Sequence, residues 1–153
     1  MRLFTIAILW LAVISLSHAN VVVVVAKHSE IQSLEDKHVA NIFLARTSRF
    51  PNGEKARPIE LKNEALRNDF YLQISGKSSK QLYAYWTTLV FTGKGKPPRS
   101  YGDGATLQEK LLSQPGGITY LPLEQVTADM KIVYRFPSFV NSLVCLSVFV
   151  FCF

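Results

Sequence analysis

Apolar positions fall into three kinds of pattern along the chain. Residues 3–16 and 143–153 are nearly continuous apolar runs at the two ends. Val21 to Ala26 holds five valines and an alanine with no polar face. Such a β-branched run predicts a central strand buried on both faces, as in the parallel sheets of α/β domains. Between them, apolar residues recur mostly at helical spacing. Leu34, His38, Val39, Ile42 and Phe43 form one stripe, opened by Ser33 with Asp36 as a capping box and ending near Arg46. Leu66, Phe70, Tyr71 and Ile74 form a second, closed by Gly76. Leu82, Tyr83, Trp86, Leu89 and Val90 share the face of a third helix, capped by Ser78 or Ser79. Leu107, Leu111 and Leu112 mark a fourth, stopped by Pro115-Gly116.

Short strands fill the intervals. Ala56 to Leu61 reads as one, with Pro58 implying an edge or an early position. Gly117 to Leu121 and Lys131 to Tyr134 are two more, with a turn over Glu124 to Asp129 between them. Thr47 to Glu54 is a polar turn, and Gly93 to Ser100 is a basic Gly/Pro-rich loop. Strands alternating with helices define an α/β domain with a mostly parallel sheet flanked by helices.

The ends read differently from the body. Arg2, the apolar run to Leu16 and Ser17-His18-Ala19 have the layout of a secretory signal, with cleavage before Asn20. The expected organisation is a signal peptide over 1–19, a domain over 20–135 and an apolar tail over 136–153. No charge follows Arg135. The tail is shorter than the roughly 20 apolar residues of a spanning helix. It reads as a marginal membrane anchor, as an aggregation-prone strand, or as a segment not native to the domain.

Composition narrows the chemistry. The 153 residues are 48% hydrophobic, which excludes a disordered chain. A net charge of +6 suits an anionic ligand or surface. No long basic run of the kind that binds nucleic acid occurs. Both cysteines lie in the tail and only three histidines are present, so no metal site or cofactor is expected. No Gly-x-Ser-x-Gly elbow or His-Glu-x-x-His pattern appears, and the carboxylates are scattered, so no enzyme is expected. Gly93-Lys94-Gly95-Lys96 and Gly102-Asp103-Gly104 lack the spacings of phosphate loops and dinucleotide fingerprints.

What remains are helix N-termini at strand ends, where free N–H groups and the helix dipole attract anions. Two loops qualify: Lys27 to Ser29 and Lys62 to Glu64. Ser29, Lys62, Asn63 and Arg67 supply donors suited to an anion, while Glu64 opposes one. Ordinary helix capping with surface charge is the other reading of the same residues.

The order of segments resembles the small single-lobe relatives of the periplasmic phosphate-binding proteins that serve ABC transporters. The resemblance runs from Val21 to Tyr134. It is carried by the valine strand, Ile42-Phe43-Leu44, Phe50-Pro51-Asn52-Gly53, Pro58-Ile59-Glu60-Leu61, Arg67-x-x-Phe70, Tyr85-Trp86, Phe91-Thr92-Gly93-Lys94-Gly95 with Pro97-Pro98, and Gln114-Pro115-Gly116-Gly117-Ile118-Thr119-Tyr120. It implies one lobe of a type 2 periplasmic-binding-protein-like fold. It also implies a periplasmic protein that binds phosphate or another small oxyanion, with an envelope or transporter protein as partner. Three departures accompany it. The family's Ser-Gly-Thr phosphate loop is absent near Lys62-Asn63-Glu64, its Ile-Gly-Tyr glycine is Thr119, and Phe136 to Phe153 is unmatched. The alternative is an interaction module that contacts an envelope protein or the membrane without a ligand, through the loop Lys94 to Arg99 and the tail.

Overall fold

The computed structural model describes residues 20–137; the expected signal peptide and nearly all of the apolar tail lie outside them. The element order is β1 (Val21–Ala26), α1 (Asp36–Phe43), β2 (Arg57–Leu61), α2 (Glu64–Ser75), α3 (Ser79–Phe91), β3 (Arg99–Tyr101), α4 (Gly104–Ser113), β4 (Gly117–Pro122) and β5 (Met130–Arg135), with a single 3-10 turn over Leu123–Gln125. The strands form one sheet in the order β3-β2-β4-β1-β5.

The valine strand lies inside the sheet, and all six of its side chains are buried. Its odd and even positions serve two cores. Val21, Val23 and Val25 meet α1, α2 and α3 through residues such as Phe43, Phe70 and Trp86. Val22 and Val24 meet Leu107 and Leu111 of α4 on the other face. Two-sided burial removes the need for a polar alternation, and this is why the run is uniformly apolar.

Its direction is a correction to the reading from sequence. β1 runs antiparallel to both β4 and β5, while β2 is parallel to β3 and β4. Four strands therefore share one direction and β1 alone opposes them. Burial on both faces depends on the helical layers and not on strand direction, so composition could not distinguish the two cases. Between Val23 and Val24 the register with β5 shifts, leaving Val133 as an extra residue. Its carbonyl accepts the Leu34 N–H at 2.8 Å, which docks the segment leading into α1. That docking replaces the expected capping box: α1 begins at Asp36 after Glu35, and no side chain caps it.

The other helices start and stop as their caps dictate. Asn63, Ser78 and Asp103 each accept an N–H of the following helix, and Ser78 with Gln81 forms a full capping box. Gly76 closes α2 at φ 66°. Pro58 sits early in an interior strand. Pairing with β3 begins only at Ile59, so the missing N–H costs no bond on that side. The basic loop ends in β3, a three-residue edge strand too short to show an alternation.

An aromatic cluster fills the larger core. Phe70 stacks on Tyr120 at 3.8 Å between centroids, and Phe43 meets both rings edge-on. Tyr71 donates to the Phe43 carbonyl and Tyr85 to the Leu44 carbonyl, which satisfies the last turn of α1.

Gly116 precedes β4 at φ 76°, with its Cβ direction closed by the Lys55 carbonyl oxygen. Gly76 has a similar φ and open space. Gly116→Ala is therefore expected to cost more than about 3 kcal/mol, and Gly76→Ala about 1 kcal/mol. Urea unfolding of the two variants checks the order; equal losses would show that the backbone at Gly116 relaxes freely.

Candidate functional site

β2 ends in a turn that hands the chain directly to α2. Asn63 caps the helix: its side-chain oxygen accepts the Leu66 N–H at 3.0 Å. The groove above this turn has a volume of about 650 Å³. Its floor carries Glu60, Arg67 and Ser100, its near lip Lys62 and Asn63, and its far wall Leu82, Tyr83, Trp86, Val90 and Phe91 of α3. The third helical stripe is thereby divided. Leu82 and Trp86 are buried, whereas Tyr83 and Val90, with 77% and 55% of their surface exposed, stand on the groove side.

Glu60 organises the floor. Its side chain is 1% exposed. Ser100 donates to Oε1 at 2.9 Å and Tyr120 donates to Oε2 at 3.1 Å. Arg67 Nε lies 3.5 Å from Oε1 without forming a hydrogen bond, so this N–H has no acceptor. Burial raises the Glu60 pKa above the ordinary glutamate range, opposed by the Arg67 charge and by the bonds from Ser100 and Tyr120. Tyr120 is pushed far upward by its own burial and by the adjacent Glu60 charge, so it stays a donor. The Trp86 indole N–H, also buried, has no partner either.

Three of the four residues expected to bind an anion meet here: Lys62, Asn63 and Arg67. Ser29 does not. It follows the carboxyl end of β1, and because β1 runs against β2 that end lies at the opposite side of the sheet. Ser29 Oγ accepts the Ile31 N–H, and the Ser29 carbonyl accepts from Lys131 at 2.7 Å. The assumption that both strand-end loops share one edge fails with the assumption of parallel neighbours.

Sequence reasoning missed Glu60 as a floor residue. The signal was present: within Pro58-Ile59-Glu60-Leu61 the alternation puts Glu60 opposite Ile59 and Leu61, on the face covered by α1 to α3. A buried carboxylate needs donors or a counter-charge, and Arg67 one turn into the next helix supplies the charge. Among the described residues no cluster of His, Cys, Asp or Glu could hold a metal ion.

The groove lies at the carboxyl end of β2, beside the N-terminus of α2. Solved structures share this fold at low identity. A Clostridium perfringens protein assigned to phosphate ABC transport and solved with bound phosphate matches with TM-score 0.58 and 8% identity, over 74% of this chain and 44% of its own. PstS from Borrelia burgdorferi matches with TM-score 0.53 and 12% identity, over 74% and 46%. An ABC-type phosphate transport receptor from Vibrio cholerae matches with TM-score 0.50 and 8% identity, over 74% and 45%. The chain thus has the fold of a periplasmic-binding-protein-like lobe and spans less than half the length of these structures. No family model and no curated protein matches it.

The Glu60 linkage has a definite sign. A carboxyl whose folded pKa is raised adds stability fully present below its unfolded pKa, about 4.3. That stability is lost as pH rises through the folded value. Glu60→Gln removes this term. The stability difference between variant and parent should therefore move in the variant's favour between about pH 4 and pH 7. Chemical unfolding of both across that range is the check, and a pH-independent difference would show that Glu60 does not titrate differently on folding.

Proposed function

We propose that this protein is a secreted, non-enzymatic solute-binding lobe that takes phosphate or another small oxyanion at the α2 N-terminus. The observation that carries this reading is the Arg67 Nε–H. It is a buried cationic donor without an acceptor, in a groove that also holds Lys62 and Asn63. An anion seated there would accept from Arg67 and from the first turn of α2, replacing part of its hydration shell. The phosphate-bound structure with the same fold supports the ligand class.

Affinity is modest in this reading. Lys62 and Arg67 are matched by Glu60 and Glu64 around the same groove. The groove is also open, and a second wall would come from another protomer or from a transporter or envelope partner. The signal-like layout of residues 1–19 supports secretion in this reading.

Thermal melting against phosphate, sulfate and arsenate tests the reading. A ligand that binds only the folded state stabilises by about 2.7 kcal/mol at a hundredfold excess over Kd. We expect a concentration-dependent rise in Tm for at least one anion, abolished by Arg67→Gln, reduced by Lys62→Gln and unchanged by Ser29→Ala. A cooperative transition that no oxyanion moves up to tens of millimolar would overturn it.

A further inference from the structure

A second groove lies at the other end of β2, around its entry and the chain segment that leads into β3. Its volume is about 830 Å³. Five cations line it: Arg46 after α1, Arg57 at the start of β2, and Lys94, Lys96 and Arg99 from the basic loop. All five are exposed, and no acidic residue is among the lining. Among the described residues none of the five makes an ion pair. The first groove is different in kind, because each of its cations there has a carboxylate to match it.

Like charges gathered on one concavity repel one another, and a groove lowers their access to screening water. Three separate chain segments bring these cations together, so the cluster is not the by-product of one basic stretch. Between them the lining is mixed: the half-buried Pro97 and Tyr101 over the buried Ile42, Ile59 and Pro98, with Thr47, Ser48 and Gln114. A lone small anion would use two of the cations and leave the rest unneutralised. A flat anionic membrane cannot follow a concave wall. An extended chain with several carboxylates and interspersed apolar side chains fits both the charge and the lining. β3 adds a further feature, since it ends the sheet and, among the described residues, no strand lies against its outer edge.

We propose that this cationic groove docks an acidic, extended polypeptide segment of a partner protein. The proposal is independent of oxyanion binding at Arg67. Acidic side chains of the partner would pair with Arg57, Lys96 and Arg99 across the groove while its apolar side chains cover Pro97 and Tyr101. The contact would be strongly salt-dependent, as clustered exposed charges require.

The test is fluorescence anisotropy of the full chain with a labelled peptide of four Glu-Val repeats, beside Lys-Val and Ser-Val peptides of equal length. We expect the Glu-Val peptide to bind at least tenfold more tightly than either control, and to lose about tenfold between 50 and 300 mM salt. Arg57→Glu with Lys96→Glu should weaken it at least tenfold, and the milder Arg57→Gln with Lys96→Gln severalfold, with thermal melting unchanged. Lys27→Glu with Lys80→Glu makes the same change in net charge elsewhere and should leave binding within twofold, as should Arg67→Gln. Equal loss in the Lys27/Lys80 variant would overturn the proposal in favour of non-specific attraction. So would no preference for the Glu-Val peptide. Binding of phosphatidylglycerol vesicles that depends on Arg57 and Lys96, and that the peptide does not displace, would overturn it in favour of a membrane surface.

Discussion

The antiparallel valine strand is the constraint on which the other elements depend. β1 contributes side chains to both cores, and three helices on one side and one on the other pack against it. Burying a Val side chain is worth roughly 1.5–3 kcal/mol relative to exposure. Five of them in one interior strand make this the segment least able to shift register, since a one-residue slip exchanges every side chain between the two cores. Its direction then decides where the loops go. With β1 reversed, the Ser29 turn leaves from one end of the sheet while the Asn63 turn, the α2 N-terminus and the ends of β2 and β3 gather at the other.

β2 and β3 translate that arrangement into two grooves of opposite character. Successive side chains of a strand point to opposite faces. Glu60 and Ser100 line the groove beside α2 and α3, whereas Ile59, Arg99 and Tyr101 line the cationic one. Glu60 accepts Ser100 and Tyr120 and stands beside Arg67, so it ties β2 to β3, β4 and α2 at one point. A buried ion pair of this kind is not a reliable source of net stability, because desolvation offsets much of the attraction. Its effect here is positional: it holds the Arg67 guanidinium at the groove floor and leaves the Nε–H unbonded.

Much of this was legible in the residues. The helices marked by Leu66 to Ile74 and by Leu107 to Leu112 were recognisable because each apolar stripe runs into a terminator, Gly76 or Pro115-Gly116. The valine strand was recognisable from burial alone. Strand direction was not, because it is set by a register and a crossover that no local pattern records. The short β3 was hidden for a related reason: three residues with two exposed cannot display a period. At the site, Lys62, Asn63 and Arg67 were accessible to sequence reasoning as donors beside a helix start. Glu60 was not singled out: the β2 alternation turns it inward, but its donors Ser100 and Tyr120 lie 40 and 60 positions away. The stripe on α3 was read as one face. The structure divides it: among the described residues no element covers Tyr83, Val90 and Phe91.

That exposed wall bears on what a part-length lobe can do. In the structures that share the fold, this chain corresponds to less than half the polypeptide. A groove with one wall of exposed aromatic and aliphatic side chains and a floor of balanced charge excludes water from only one side of a ligand. Electrostatic attraction is correspondingly weakened, because interactions at an open surface are screened far more than those in a closed cleft. The cationic groove has no such dependence on closure: its five charges reinforce one another at the surface and need only a partner of opposite sign.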